Sequence, residues 1–314
     1  MKRSIIVGCN GQDGKLLYEL LSKKGYSSIG IGKDFIKADG DDKLSPINIS
    51  NTEAVFNLVK NFKPDEVYYL AAFHQSSENA TLGNIELYQK SYEVNVFSLI
   101  NFLEGIRKFS PRTKLFYAAS SHIFGDEAGD TQDENTPINP NSIYGITKAV
   151  GLFLCRFYRN VHSIFASTGI LYNHESSLRD RKFVSKKIIR GAIDIKNGRQ
   201  DKLILGDLNA EIDWGYAPDF VEAMHMILNI RTADDFIIAT GKKHTVLDFV
   251  KTTFRYLGLD WESYVEENPQ LITRKKSYLV GNPKKLMAMT GWKVSVDFDQ
   301  MIKKLLEEEA GLDA

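Results

Sequence analysis

Tyr144 and Lys148 stand four residues apart, and on a helix this spacing places both side chains on one face. A phenol with a pKa of about 10 is a poor base near neutral pH, but a neighbouring ammonium group favours the phenolate and lowers that pKa. Tyr144 can then take a proton from a hydroxyl group, as hydride transfer from the same carbon requires. Ser120 and His122 lie upstream. We expect these four residues to form a catalytic group.

The N-terminus supplies an independent phosphate site. An apolar run at residues 4–7 leads into Gly8, Gly11 and Gly14, and a helical pattern of leucines follows. In this context backbone N–H groups and a helix N-terminus face a diphosphate, and no Cβ blocks its approach. Without it, the Tyr144–Lys148 spacing would indicate only an amphipathic helix with a packed ring and a solvated ammonium. The residues predicted to bind a dinucleotide cofactor here are Gly8, Gly11, Gln12, Asp13 and Gly14.

The second strand, at residues 28–34, ends where a dinucleotide fold contacts the adenosine ribose. Lys33 would attract a 2′-phosphate, whereas Asp34, about 20 residues after the last glycine, would repel one and can bond a free 2′-hydroxyl. The pair therefore favours NAD over NADP and leaves NADP open. Both residues are also of the kind found as solvated loop charges.

Composition predicts a cytoplasmic enzyme. The chain has 314 residues with 43% hydrophobic content, and no apolar run approaches the length of a membrane span. Forty basic and forty acidic residues give a net charge of zero, so we expect no nucleic-acid or membrane partner. Two cysteines are too few for a disulfide framework, and the six histidines show no zinc-ligand spacing, so we also expect no metal site.

Short apolar strands alternate with amphipathic helices through the first half of the chain, with strands near residues 4–8, 28–32, 66–71, 114–119 and 164–170. This alternation predicts an α/β fold with a doubly wound parallel sheet of the Rossmann type.

The predicted division into domains follows a change after residue 172, where basic residues become frequent and strand patterns rare. Residues 1–172, with a return near 210–235, are predicted to form the dinucleotide-binding domain. Residues 173–209 and 236–314 are predicted to form a smaller, discontinuous α/β substrate domain.

Two helical stretches, 84–109 and 142–160, are apolar on more than one face. Core packing or a subunit interface would explain this, and we favour a homodimer or higher homo-oligomer. The segment His174–Arg190 is basic, which suits a diphosphate substrate or a solvated helix face.

The chain resembles the extended short-chain dehydrogenase/reductases over essentially its whole length, and among them the branch of GDP-mannose 4,6-dehydratase. Its run Asn173–Ser176 is the most discriminating match. The resemblance implies a nicotinamide cofactor and a GDP-linked sugar substrate. Besides Tyr144 with Lys148, the matching motifs are Gly11–Gly14, Leu70–Ala72, Gly169–Ser176, Phe183–Val184, Asp213–Gly215, Ala239–Gly241, Gly281–Pro283 and Gly291–Lys293.

The resemblance also implies roles for individual residues. Ser120 would bond the sugar hydroxyl beside Tyr144, Asn173 would contact the substrate diphosphate, and the surroundings of Val184 and Lys187 would hold the guanine. The further residues assigned to the cofactor site are Asn48, Ile49, Leu70, Ala71, Ala72, Tyr144, Lys148 and Tyr172, and Glu175 is assigned to the substrate site.

Three departures from the family pattern affect the predicted chemistry. His122 replaces the glutamate that removes the C5 proton in the dehydratases, and a general base at that carbon separates dehydration from simple oxidation. Ile212 replaces an arginine that grips the diphosphate, so Arg179 or Arg274 would have to supply that charge. Asn48 replaces an aspartate that bonds the adenine amino group, and its amide oxygen can accept the same bond.

The hydride-transfer residues are retained while the dehydration base is lost. This pattern predicts oxidation at C4 of a GDP-linked hexose or heptose to a 4-keto sugar nucleotide, and it resembles in this respect the GDP-heptose 4-dehydrogenases of capsule assembly. The alternatives are a 4,6-dehydratase that uses His122, a 4-epimerase, a C4 reductase and, from another class, a nucleotide-sensing regulator without turnover. Imidazole has a pKa of about 6.5 and can exchange protons near neutral pH, so His122 leaves dehydration open.

Overall fold

The computed structural model describes residues 1–33, 36–38, 46–73, 84–126, 129, 131–271 and 279–312. In chain order its strands are β1 (Arg3–Val7), β2 (Ser27–Ile31), β3 (Ile36–Ala38), β4 (Glu66–Tyr69), β5 (Lys114–Ser120), β6 (Ala166–Leu171), β7 (Asn173–Glu175), β8 (Leu203–Leu205), β9 (Glu211–Tyr216), β10 (Asp235–Ile238), β11 (Lys243–Thr245) and β12 (Val265–Glu267). Its α-helices are α1 (Gln12–Lys23), α2 (Thr52–Phe62), α3 (Asn84–Tyr92), α4 (Ser98–Phe109), α5 (Ile143–His162), α6 (Val184–Lys196), α7 (Ala217–Leu228), α8 (Val246–Leu257), α9 (Lys284–Thr290) and α10 (Phe298–Leu312).

The large sheet has the strand order β10-β6-β5-β4-β1-β2-β3. All neighbouring strands in it are parallel except β2 and β3, which pair antiparallel at the edge. From β1 the chain builds outwards in both directions, as a doubly wound sheet requires. The predicted fold class is therefore confirmed, and the five predicted strands correspond to β1, β2, β4, β5 and β6.

Alternating side chains of β1 enter two different cores, because both faces of the sheet are covered. Ile5 and Val7 belong to the core under α2, α4 and α5. Ile6 points to the opposite face, where it joins the core under α1 and α7. The buried strands thus leave only their carboxyl ends open for a ligand.

Local signals set the ends of the helices. The Asn51 side chain accepts a hydrogen bond from Ala54 N at the start of α2, and Lys63 ends that helix in the left-handed conformation before Pro64. Ser142 caps α5 in the same way by accepting from Gly145 N at 3.1 Å. A π-helical segment, Glu93–Phe97, joins α3 to α4.

The remaining elements pack around a third core, to which α6, α8 and α10 contribute. A three-stranded sheet of order β11-β9-β7 and the parallel pair β12-β8 belong to this part of the chain. The predicted boundary at residue 236 differs from the structure, because β10 pairs with β6 in the large sheet. Ile237 and Ala239 accordingly lie in the first core. The division into a cofactor and a substrate domain stays a prediction.

In the described part of the chain, no helix combines the length and the apolar character needed to cross a membrane. Within the same residues, no group of three or more His, Cys, Asp or Glu side chains could hold a metal ion.

Candidate active site

The predicted catalytic residues meet where β5 ends and α5 begins. Ser120 is the last residue of β5, and its hydroxyl is hydrogen-bonded to Tyr144. His122 follows in a 3₁₀ turn, donates its backbone N–H to Ser120 Oγ at 3.3 Å, and sets its ring edge-on to Tyr144 with 5.8 Å between the centroids. Gly145 permits this approach, since a Cβ there would stand 2.5 Å from His122 O.

Lys148 lies one turn further along α5 and is buried. Its Nζ donates to Ala118 O at 2.7 Å and lies 5.8 Å from the centroid of the Tyr144 ring. Burial lowers the pKa of Lys148 to about 7, so this ammonium group gives up its proton far more easily than a solvated one.

The structure corrects the expected state of Tyr144. Burial raises the pKa of its phenol to about 12, although the hydrogen bond from Ser120 and the charge of Arg179 pull in the opposite direction. The predicted lowering by Lys148 is wrong for this geometry, because Nζ is directed at Ala118 and burial dominates. Tyr144 is thus a neutral phenol that can donate a proton.

Asn95 supports this group from the π-helical segment, a role that was not predicted from the sequence. Its buried amide accepts from Phe73 N at 2.8 Å and donates to Phe73 O at 3.2 Å and to Thr147 Oγ1 at 2.9 Å. The amide thereby joins the segment after β4 to the helix that carries Tyr144 and Lys148. A polar residue between Val94 and Val96, in an otherwise apolar stretch, was the available signal.

The three glycines of the N-terminal loop differ in backbone conformation and in the space around them. Gly8 has a φ of +94°, and a Cβ there would lie 2.7 Å from Ala71 N. At Gly14 a Cβ would lie 2.3 Å from Gly8 O, so the turn itself requires both glycines. Gly11 is exposed, and the nearest atom to a Cβ there is Gly8 O at 3.5 Å.

The space in front of Gly11 is therefore open, and this residue starts α1 with no side-chain cap. Uncapped N–H groups at a helix N-terminus beside an open glycine fit the diphosphate of a dinucleotide. Leu70, Ala71 and Ala72 follow β4 on the same side, with the Ala71 backbone directly against Gly8. These residues are placed as a cofactor site requires.

The predicted ribose and adenine contacts are only partly described. Lys33 is exposed just after β2, whereas Asp34 lies outside the described residues. Asn48 is exposed, and its Oδ1 accepts from Ser50 N at 3.0 Å, which orients the amide. The carbonyl of Ile49 accepts from Asn101 Nδ2 at 3.0 Å. Both residues are thus fixed near the surface after β3.

The segment Asn173–Ser176 follows β6 at the same edge of the sheet. Asn173 is exposed and available to a ligand. Tyr172 is buried in the first core and donates its hydroxyl to Gln132 Oε1 at 2.9 Å, so the phenol of this predicted cofactor residue is engaged within the protein. Gln12 Nε2 donates to His174 O at 3.1 Å, and Ser176 Oγ donates to Gln12 Oε1 at 2.8 Å. Gln12 therefore ties the glycine loop to this segment.

Glu175 is buried and accepts from Ser185 Oγ at 2.6 Å, with Arg179 Nε 3.2 Å from the same carboxylate. The sequence predicted that Glu175 contacts the substrate. In the structure its carboxylate instead positions Arg179. The Arg179 guanidinium lies 3.7 Å from the ring centroid of Phe183 and acts electrostatically on Tyr144 and Asp13. The structure brings Arg179 to the site, while Arg274 lies outside the described residues.

The predicted basic segment divides into two groups. Lys186 and Arg190 turn inwards and both bind the buried Glu309 on α10, so they connect α6 to α10. Val184 and Lys187 lie half-buried at the start of α6, where the resemblance places the base of the nucleotide.

The Asp213–Gly215 motif is structural in this protein. Asp213 is fully buried and accepts hydrogen bonds from Thr240 N and Gly241 N at 2.9 and 3.0 Å and from Gly281 N at 3.2 Å. One carboxylate therefore joins three of the matching motifs. Its neighbour Ile212 packs against the third core, in line with the absence of a phosphate-binding side chain there.

Comparison with known proteins agrees with this architecture. The GDP-mannose 4,6 dehydratase of Arabidopsis thaliana designated 2 is 34% identical, over 99% of this chain and 87% of that protein. The structure of RMD from Pseudomonas aeruginosa complexed with NADPH superposes with a TM-score of 0.84 at 17% identity, over 99% of this chain and 100% of that one. That of dTDP-glucose 4,6-dehydratase from Bacillus anthracis in complex with NAD gives 0.82 at 19% identity, over 99% and 97%.

The two solved structures share the fold, and family membership rests on the sequence. The model of the family described as GDP-mannose 4,6 dehydratase matches residues 5–305, which is nearly the whole chain. The chain therefore belongs to the GDP-mannose 4,6-dehydratase family.

Proposed function

We propose that the protein oxidises C4 of a GDP-linked hexose or heptose to a 4-keto sugar nucleotide, as a precursor of surface polysaccharide. The family supports the coarser part of this proposal, an enzyme of the extended short-chain dehydrogenase/reductase type that acts on sugar nucleotides. A nicotinamide cofactor bound at the glycine loop would supply the hydride acceptor. The sugar then loses one hydride and one proton, so two electrons pass to that acceptor.

Tyr144 in its phenolate form receives the proton of the C4 hydroxyl, and Ser120 holds the same hydroxyl in place. Because burial raises the pKa of the phenol to about 12, this form needs stabilisation, and the charge of Arg179 and the hydrogen bond from Ser120 act in that direction. A substrate hydroxyl that also bonds Ser120 would shorten the path of the proton. These roles use only residues that the structure brings together.

The observation that carries the proposal is His122 against Tyr144. The family pattern places the C5 base at this position, and here it is an imidazole set edge-on to the phenol at 5.8 Å. A carboxylate base becomes neutral when it takes a proton, whereas an imidazole becomes a cation. Removal of the C5 proton is thereby disfavoured, while the C4 hydride step is unaffected.

The state of Tyr144 favours a second candidate, the same chemistry in reverse. A neutral phenol is a proton donor, and a C4 reductase needs a donor beside the carbonyl oxygen. The raised pKa of Tyr144 suits that direction. The direction of hydride flow distinguishes the two candidates, and the residues that act are the same.

The cofactor preference rests on few residues. We propose NAD because Asp34 can bond a free 2′-hydroxyl, while the exposed Lys33 leaves NADP open. One structural relative was solved with NADPH and another with NAD. Titration with NADH and NADPH, followed by the fluorescence of the reduced nicotinamide, decides between them.

Product analysis tests the proposed reaction. The purified protein is incubated with GDP-mannose or GDP-manno-heptose and oxidised cofactor, and the product mass and the absorbance of reduced nicotinamide are followed together. We expect a product lighter by two hydrogen atoms and a matching amount of reduced cofactor. A product lighter by one water, without net reduction, would contradict the proposal and show that His122 supports dehydration. A keto substrate consumed with reduced cofactor, in the absence of the forward reaction, would support the reductase.

We further propose that two copies associate through α3, α4 and α5. These helices and the π-helical segment between α3 and α4 expose large apolar side chains, among them Ile85 at 73%, Phe97 at 58% and Val161 at 60%. Phe153 and Phe157 on α5 are half exposed in the same way. If two copies meet around a twofold axis beside these helices, the exposed apolar side chains of both copies are buried together, as in an isologous dimer. Light scattering during gel filtration measures this directly.

A further inference from the structure

His174 lies where the glycine loop meets the substrate segment. Its side chain is 8% exposed, and its ring is stacked on Phe220 with 4.5 Å between the centroids. Nδ1 lies 2.6 Å from Tyr172 O, and Nε2 lies 3.0 Å from both carboxylate oxygens of Asp13. The ring is therefore held on three sides in one orientation.

These contacts fix the number of protons shared by His174 and Asp13. The Tyr172 carbonyl can only accept, so Nδ1 of His174 must carry a hydrogen. Nε2 faces a carboxylate, so a second proton must lie between Nε2 and Asp13. Whether this proton is on the imidazole or on the carboxyl group, His174 and Asp13 together carry no net charge.

Asp13 occupies the first turn of α1, directly after Gln12 and the open Gly11. An unneutralised carboxylate there would compensate the positive end of the helix dipole and repel an anionic ligand. The same helix N-terminus is the diphosphate site of the glycine loop. The sequence thus places an acid where the cofactor needs positive potential.

We propose that His174 is a positioning residue of the cofactor site, which neutralises Asp13 and so keeps the N-terminus of α1 open to the dinucleotide diphosphate. This inference rests on the nicotinamide cofactor of the proposed function and is independent of the reaction at C4. The charged groups that act on His174 are Asp13 from α1 and Arg179 from the loop before α6, while α7 contributes the uncharged Phe220.

The electrostatics of the pair agree with this role. Burial alone would lower the pKa of His174, but the charge and hydrogen bond of Asp13 raise it above its ordinary value. Burial would likewise raise the pKa of Asp13, and the charge of His174 lowers it instead. Both shifts favour the imidazolium–carboxylate form, which is lost as the pH rises through the raised pKa of His174.

The test compares two substitutions that break the same contact but leave opposite charges. In His174→Gln the amide is uncharged and Asp13 keeps its negative charge, so we expect the Kd for NADH, or for NADPH if that binds more tightly, to rise roughly ten- to a hundredfold. In Asp13→Asn the negative charge is removed, so the Kd should rise much less than in His174→Gln, although Asp13 belongs to the cofactor loop. The double variant should bind the dinucleotide more tightly than His174→Gln does. Equal weakening by both single substitutions would overturn the proposal, since it would indicate a purely structural contact.

Controls separate this effect from folding and from other titrations. His225→Gln changes a half-buried histidine on α7 that contacts Tyr26, and it should leave the Kd unchanged. Lys148, with a pKa of about 7, titrates in the same pH range in every variant. The ratio of the Kd of His174→Gln to that of the native protein should therefore fall towards one as the pH rises, and a constant ratio would contradict the proposal. If His174→Gln does not fold, Asp13→Asn still tests the inference, because a loss of NADH affinity as large as the one expected for His174→Gln overturns it.

Nitrogen-15 spectra of the imidazole rings add a direct readout. In the native protein at neutral pH, the signal that disappears in His174→Gln should show two protonated ring nitrogens or a protonated Nδ1 with a strongly hydrogen-bonded Nε2. A ring whose Nδ1 is unprotonated would overturn the assignment. All binding measurements are made without sugar nucleotide. Failure of C4 oxidation with an intact charge effect would therefore contradict only the proposed reaction, and the converse would contradict only the role of His174.

Discussion

Replacement of Gly11 by alanine tests the assignment of the cofactor site most directly, with Gly14→Ala as its matched control. Both residues belong to the same glycine loop, and both changes add one methyl group. At Gly11 the added Cβ meets nothing closer than Gly8 O at 3.5 Å, and φ is −68°, which alanine adopts without strain. At Gly14 it would stand 2.3 Å from Gly8 O and 2.5 Å from Cys9 Cα.

These distances predict opposite effects on stability and binding. The neighbours of Gly14 are backbone atoms that cannot rotate away, so Gly14→Ala should lower the free energy of unfolding by about 2 to 3 kcal/mol. Gly11→Ala should lower it by about 1 kcal/mol or less, because the site is open and the only cost is that alanine is a poorer helix cap than glycine. The methyl group at Gly11 would instead stand where the diphosphate approaches. Loss of one charge-assisted hydrogen bond would raise the Kd for the dinucleotide roughly tenfold or more.

Urea denaturation measures the first quantity, and titration with NADH and NADPH measures the second. Gly11→Ala should keep the native midpoint and lose affinity, whereas Gly14→Ala should lose stability. A Gly11→Ala protein that folds normally and binds both dinucleotides with native affinity would refute the reasoning, because the diphosphate would then lie elsewhere.

Four further predictions concern other parts of the molecule. His122→Glu should convert part of the product to the dehydrated 4-keto sugar, which mass spectrometry detects, whereas His122→Gln should not. If neither variant loses water, residue 122 does not determine which reaction occurs. Burial lowers the pKa of Lys148 to about 7, so the unfolded chain binds more protons than the native one between pH 7 and 10. The free energy of unfolding should therefore rise by about 1.4 kcal/mol per pH unit in this range, relative to Lys148→Met. Parallel pH profiles of the two proteins would contradict the burial argument. Asn95→Leu removes three hydrogen bonds and leaves the backbone polar groups of Phe73 unpaired. It should therefore lower the free energy of unfolding by about 2 to 4 kcal/mol and reduce kcat. An unchanged denaturation midpoint would show that water replaces the amide. Phe157→Glu, which places a charge in an apolar contact surface, should shift the protein from dimer to monomer in light scattering without loss of helicity, and a monomeric native protein would rule out the proposed interface.

The sequence was sufficient for features that depend on short spacings. The four-residue spacing of Tyr144 and Lys148 needs only a helix, and the glycine pattern needs only a strand, a turn and a helix. Ser120 and His122 reach Tyr144 because β5 ends where α5 begins, which the alternation of strands and helices already implied. The place of β10 in the large sheet was not predicted, because its pairing with β6 joins residues that are distant in sequence.

Features that depend on burial could not be read from spacing. The expected effect of Lys148 on Tyr144 assumed an ammonium group directed at the phenol, and the fold directs it at Ala118 instead. Glu175 has the composition of a ligand-binding residue, yet a neighbouring serine and arginine use its carboxylate. In each case a contact that forms only in the folded chain, or the loss of solvent, decides the role.

Asp213 shows why a shared motif need not mark chemistry. Its carboxylate accepts four hydrogen bonds from Thr240, Gly241 and Gly281, and this set holds β9 beside the segment that follows β10 and the turn before α9. Burial raises the pKa of Asp213 in spite of these bonds, so the group is an energetically costly anion whose donors must all be present. A sequence pattern that contains all three partners therefore records one polar junction of the fold. We therefore propose that the residues that determine the reaction lie elsewhere, around Gly11, Tyr144 and Asn173.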